Sequence, residues 1–158
     1  MSETSDPISD GVRAAALFKE ACRSAQGSAQ GSPEAPRIEV VRELALDLGR
    51  QLDALSDLAR EDATPDVLAE AAICCADLAN LAACNAPDLP PDAAPRVTEA
   101  ARLAAGAVGA LAPIVESRSE DLDARHAENL LRDVRSAGWR ATFAARIAEV
   151  PGWESRSG

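Results

Sequence analysis

Four cysteines and a single histidine are the residues of this chain best suited to chemistry. Cys22, Cys74, Cys75, Cys84 and His126 carry the donor atoms that zinc and other soft metals prefer. Their spacing does not form a site. No Cys-x-x-Cys pair occurs, and on one helix Cys75 and Cys84 would stand about 13 Å apart at roughly 1.5 Å per residue. That separation prevents them from sharing an ion or forming a disulfide within one chain. The thiols are therefore expected to be small buried hydrophobes, with a metal or redox site as the alternative. His126 has Asp123 three residues before it and Asn129 three after it, with Asp133 on the same helical face. A carboxylate so placed can orient an imidazole, but no nucleophile accompanies it, so a surface histidine is the plainer expectation. Asp66, Glu70 and Asp77 lie along one stripe and would hold a divalent cation only if another helix supplied ligands. The Glu-x-x-His motif of di-metal bundles is approximated once, by Asp123 and His126, without a second copy. Phosphate loops, nucleophile elbows, His-Glu-x-x-His and Rossmann glycine patterns are absent. No cofactor is expected.

Composition narrows the partners. Sixteen basic against 26 acidic residues give a net charge of −10, which repels nucleic-acid phosphates and anionic membrane surfaces. Neither is an expected partner. Residues 1–10 lack the basic start and apolar core of a signal peptide. The longest apolar run, Leu103 to Val115, falls short of the roughly 20 residues of a spanning helix. A cytoplasmic setting is expected.

The elements that must position these residues are helical. Ala makes up about a fifth of the chain, beside only two Phe, two Trp and no Tyr. Such a core is thin, because each buried Ala removes less apolar area from water than a Leu. After residues 1–8, expected to be disordered, an amphipathic helix over 9–25 presents Ala14, Leu17, Phe18, Ala21 and Cys22. The repeat Ser24-Ala25-Gln26-Gly27 and Ser28-Ala29-Gln30-Gly31, followed by two prolines, suggests a flexible linker over 26–36. The first helix is thus expected to be tethered.

A bundle is expected over 37–150. From Arg37 to Glu61, the positions Ile38, Val41, Ala45, Leu48, Leu52, Leu55 and Ala59 alternate three- and four-residue steps, a heptad seam. Leu44, Leu46 and Leu58 widen it. Thr64 before Pro65 marks a helix start, and this helix, to Cys84, should be the most buried. A proline-rich turn precedes a helix from Ala93 to Ala112, whose Ala101, Ala105 and Gly109 form a small-residue ridge for close approach. Pro113 is expected to stop or kink it. Ser117 and Glu120 have capping-box spacing. The last helix, Glu120 to Glu149, carries a seam of Ala127, Leu130, Val134, Ala137, Ala141, Ala144 and Ala148. Trp139 and Phe143 are expected chiefly as its core, with stacking of a flat ligand or contact with a partner as the alternatives. Val150 to Trp153 would fold back beneath them, and residues 151–158 form a polar tail.

The segment Ser119-Glu120-Asp121-Leu122-Asp123-Ala124-Arg125, leading into an Ala- and Leu-rich helix, resembles the end of folate-dependent cyclodeaminase and cyclohydrolase domains. The resemblance covers about 30 residues and implies long antiparallel Ala-rich helices. The glycine-pair motif near the start of those domains is replaced here by the Ser-Ala-Gln-Gly repeat, so no catalytic residue is carried over.

Together these features predict an all-α antiparallel four-helix bundle with an additional tethered N-terminal helix. Short connections favour this topology. The expected function is a non-enzymatic protein-interaction or oligomerisation module. Leu17, Phe18 and Ala21 on the tethered helix, and Trp139, Phe143 and Trp153 at the other end, are the contact candidates. Partner binding through the tethered helix predicts that deleting residues 1–31 leaves a folded bundle. A homo-oligomer, favoured as a homodimer, or a protein partner fits. The alternative is a small-molecule- or metal-binding bundle, including a folate-type enzyme, using His126, Asp123, Cys74, Cys75 or Cys84.

Overall fold

The computed structural model describes residues 6–149. Five α-helices, α1 (Pro7–Ser28), α2 (Ala35–Glu61), α3 (Pro65–Asn85), α4 (Ala94–Arg118) and α5 (Ala124–Glu149), are joined by short connections, two of which contain 3-10 turns. The described residues contain no strand, so the chain is all-α. Local chemistry sets the starts. Asp6 accepts the Ile8 amide at 3.2 Å ahead of Pro7, and Thr64 accepts the Val67 amide at 3.2 Å ahead of Pro65. Proline at the first helical position gives up an amide that has no partner there anyway. For α5 the cap is Asp123, whose carboxylate accepts the His126 amide at 3.0 Å. Ser117, expected to open a capping box, lies inside α4.

The first helix departs from expectation. It begins before residue 9, with Ile8 buried, and continues through the first Ser-Ala-Gln-Gly repeat to Ser28. The expected linker contracts to a turn over residues 29–34, where Gly31 takes a φ of +85° that other residues rarely adopt. Arg42 of α2 donates to Gln26 at 2.7 Å across that turn. Helix α1 packs on α2 and α4, α2 on α3, and α3 on α4, so α1 to α4 close a ring. Phe18, Ala21 and Cys22 are 0% exposed within it. Of the places where a tethered helix could dock, this one takes its own bundle and is part of the core. Among the described residues of this Ala-rich chain, this helix supplies the largest fully buried side chain, and burying it removes apolar area that the alanines cannot.

Helix α5 lies outside the ring, against α3 and α4. Its direction follows from two cross-links to α3: Asp66 meets His126 near both helix starts, and Asp77 meets Arg140 farther along both. Thus α5 runs parallel to α3. It runs antiparallel to α4, with Arg135 beside Glu116 at 3.5 Å and the Thr98 hydroxyl donating to the Ala148 carbonyl at 3.1 Å.

Close approach depends on a different glycine from the one expected. A Cβ on Gly109 would meet nothing, whereas one on Gly11 would stand 2.6 Å from Cys75 Sγ and 3.3 Å from Leu52 Cδ1. Gly11 lets α1 settle against α2 and α3. Nor does Pro113 stop α4, which continues to Arg118. Proline removes the hydrogen bond to the Gly109 carbonyl, but both residues are exposed, where water can replace it, while buried Leu111 and Val115 hold the helix on either side. Two stretches, Pro65–Asp88 and Pro91–Asp121, are long and apolar enough to span a bilayer by length and composition. Burial of most of the α3 stretch inside this fold accounts for its apolarity.

Candidate interaction surface

Helix α5 buries one narrow edge, Val134, Ala137, Ala141 and Ala144. At about 100° per residue, Trp139 projects almost opposite that edge. It is 81% exposed, Phe143 is 65% exposed and Ile147 is also exposed. The expectation that the two aromatics are core is therefore corrected. The physical cause is the alanine edge, which lets α5 lie close on α3 and α4 and leaves the bulky side chains one half-turn away. Apolar side chains spaced four apart on an outward stripe are a recognised contact feature.

The flanks of α5 locate this stripe within the molecule. Arg140 donates to Asp77 of α3 at 2.9 Å on one flank, and Arg135 approaches Glu116 of α4 on the other. Phe143 and Ile147 lean towards the α3 flank. Asp77 also lines a groove of about 660 Å³ between α3 and α2, with Leu44, Leu48, Gln51 and Leu81. The Cys74 thiol contacts Gln51 Oε1 at 3.7 Å, and two turns farther along α3 this register brings Leu81 towards the level of Leu44. Parallel α5 brings Phe143 towards the same level from the other side. The groove and the stripe thus form one face, α2–α3–α5, with Val40 and Leu44 exposed at its α2 side. Leu44 and Leu58, expected to widen the core seam, are exposed, because the ring buries only the line of Ile38, Val41, Ala45, Leu52, Leu55 and Ser56.

Charge is mixed across this face. Residues 134–148 contain Arg135, Arg140 and Arg146 and no acid, but Arg135 is paired with Glu116 and Arg140 with Asp77. On α2, Glu39, Glu43 and Asp47 are exposed beside Val40 and Leu44, and exposed Arg50 pairs with Asp47 at 3.8 Å.

The other candidate residues do not converge. His126 Nε2 lies 2.8 Å from Asp66 Oδ1, both partly exposed, so its ring partner comes from α3. Asp123, expected beside the ring, caps the helix with its carboxylate. Cys74, Cys75 and Cys84 lie farther along α3 than Asp66, about 12–27 Å away at roughly 1.5 Å rise per residue. Among the described residues no three His, Cys, Asp or Glu side chains are grouped to hold a metal ion. Burial pushes the Cys22 and Cys74 thiols up to about 11 and Cys75 to about 12, because a thiolate loses its hydration there. Neighbouring Asp77 and Glu70 add to the effect at Cys74, while Arg42 opposes it at Cys22. Protonated thiols are poor nucleophiles and poor ligands. Cys84 is exposed.

Of the contact candidates, Phe18 and Ala21 are core, Leu17 is half-buried, and Trp139 and Phe143 form the stripe. Trp153 and the fold-back expected of Val150 to Trp153 lie outside the described residues. Val40, Leu44 and Ile147 were not singled out as contact residues from sequence. The signal available for Val40 and Leu44 was their place beside three acids, off the α2 seam. Residues 119–125, which carry the cyclodeaminase resemblance, form the α4–α5 connection and the first two residues of α5, with the buried Ser119 hydroxyl donating to the Glu116 carbonyl at 2.8 Å. Compared with family models, with curated proteins and with solved structures, the chain matches none significantly.

Proposed function

We propose that this chain is a non-enzymatic helical interaction module that docks through the α2–α3–α5 face. The observation that carries the reading is Trp139, a residue that dominates binding energy where it is buried at interfaces, standing 81% exposed on a stripe with Phe143 and Ile147. Arginines beside aromatic anchors are the other residue type enriched at such centres. In this reading α1 to α4 form an antiparallel bundle that acts as a rigid scaffold, and α5 is its presenting helix. Four free thiols, one of them exposed, suit a reducing compartment such as the cytoplasm.

The test is association of full-length protein carrying Trp139→Ala with Phe143→Ala. Because both side chains are mostly in solvent, unfolding should be unchanged while any association, with itself or with a captured protein, is lost. Undiminished association would refute the reading. A second reading, a site for a small apolar ligand, draws on the α2–α3 groove. It predicts that Leu81→Arg abolishes uptake of a hydrophobic fluorescent probe.

A further inference from the structure

The apolar stripe of α5 runs to the end of the helix. Counting back along the axis from Glu149, Ile147 lies about 3 Å away, Phe143 about 9 Å and Trp139 about 15 Å, at roughly 1.5 Å per residue. The sequence continues as Val150-Pro151-Gly152-Trp153-Glu154. Pro151 supplies no amide for the Ile147 carbonyl and disfavours helical backbone at Val150. Pro113 is crossed in α4 because buried Leu111 and Val115 hold that helix on either side. Past Pro151 comes Gly152, and in residues 152–158 Trp153 is the one large apolar side chain. Proline then glycine at the two central positions is the signature of a type II turn, which brings the flanking residues, here Val150 and Trp153, within about 7 Å. Such a turn sends the chain back along α5. Val150 is three residues past Ile147, about 5 Å along the axis, so an indole returning on Trp153 meets Ile147 and then Phe143, with Trp139 beyond its reach. Charge favours the return. Arg135 pairs with Glu116 and Arg140 with Asp77, whereas exposed Arg146 has no acidic partner among the described residues. Glu154, next to Trp153, is the acid that the turn carries back to its level.

We infer that residues 150–154 of the chain itself occupy the outer end of the stripe: the backbone reverses at Pro151-Gly152, Trp153 covers Ile147 and Phe143, and Glu154 pairs with Arg146. Trp139 and the α2–α3 groove stay open. A partner that docks on Phe143 as well must displace Trp153, so the tail is a built-in competitor at one end of the interaction face. That competitor role rests on the interaction reading above, whereas the fold-back needs no partner.

Fluorescence of the full chain carrying Trp139→Phe tests the fold-back, because Trp153 is then its only tryptophan. Trp153 emission should be blue-shifted and several-fold less quenched by acrylamide than in the urea-unfolded chain. Adding Phe143→Ala with Ile147→Ala should expose it, as should Gly152→Val, since a β-branched residue resists the positive φ of that turn position. In each variant a cooperative urea transition followed by circular dichroism shows that the five helices remain folded. Arg146→Glu should loosen the cover and adding Glu154→Arg should restore it. A Trp153 as open to quencher as in the unfolded chain overturns the inference. So does shielding that survives Phe143→Ala with Ile147→Ala, as a helix continued through Pro151 would give, and so does shielding lost on dilution, which places the tail on a second copy. The competitor role is read with anilinonaphthalene sulfonate, whose rings and sulfonate match Phe143, Ile147 and Arg146: Trp153→Ala should bind it several-fold better than the wild type, and equal binding overturns that role. If Trp153 is shielded but Trp139→Ala with Phe143→Ala changes no association of any kind, the interaction reading falls with the competitor role and the fold-back stands.

Discussion

The chain's two phenylalanines have opposite environments: Phe18 of α1 is 0% exposed and Phe143 of α5 is 65% exposed. Both sit on amphipathic helices, and by sequence alone both were contact candidates, the second being expected chiefly as core. The difference teaches that an apolar stripe specifies a buried face only together with the helix's position. Helix α1 completes a ring and is enclosed by α2 and α4, so its large side chain is surrounded. Helix α5 is added outside the ring and needs only its alanine edge to dock. The remaining apolar positions are then surplus to folding.

The sharpest way to break this comparison is to truncate both residues. Phe18→Ala should cost about 3–5 kcal/mol by leaving a cavity, and Phe143→Ala no more than about 0.5 kcal/mol, as measured by urea unfolding. Similar costs would refute the contrast. Deleting residues 1–31 should unfold the protein, contrary to the expectation for a tethered helix, and circular dichroism of that deletion would decide the point.

Next in size is the close approach of α1. Gly11→Ala should destabilise by about 1–3 kcal/mol through overpacking against Cys75. Adding Cys75→Ala should recover part of that loss, and a double-mutant cycle showing purely additive costs would mean the two do not touch.

The buried thiols give a smaller, pH-dependent effect. Because Cys22, Cys74 and Cys75 are raised above the ordinary value of 9.0 to about 11, 11 and 12, the folded state keeps protons that the unfolded chain loses. Stability contributed by each thiol is complete below pH 9 and is lost progressively as pH rises towards its folded value. Urea titrations at pH 8, 9 and 10 should show the decline, and replacing all three thiols with alanine should flatten it. Under native conditions at pH 8, a thiol reagent should modify Cys84 first. The smallest expected effect separates the two roles at the start of α5: Asp123→Ala should cost about 1 kcal/mol as a lost cap. His126→Ala should cost less, since its contact with Asp66 is largely exposed to solvent and such surface contacts contribute about 0–1 kcal/mol. The reverse order would restore the imidazole pairing as the main role.

Much of the fold was legible in the residues because local rules govern it. Thr64-Pro65 marks a helix start wherever the helix goes, and the seam from Ile38 to Leu55 and that from Val134 to Ala144 are periodic whatever they face. These signals determined the helical class, most element boundaries and the buried stripes of α2 and α5. The repeat read as a linker illustrates a local rule overruled: Ser24 to Ser28 remain helical because Ala21, Cys22 and Ala25 are buried on the same helix, and packing outweighs the modest helix penalty of one glycine. Continuation past Pro113 has the same origin, since buried Leu111 and Val115 tie down both sides.

What only the tertiary structure decided is which helices enclose one another. Exclusion of α5 from the ring exposes Trp139, the register of α3 with α5 gives His126 to Asp66 rather than to Asp123, and the approach at Gly11 joins residues distant in the chain. The physical reason is that periodicity sets the direction of a side chain relative to its own helix axis, whereas burial depends on the neighbours around that axis. In a chain whose alanine edges allow several helix pairs to approach, neighbour identity follows from the summed packing of all five helices.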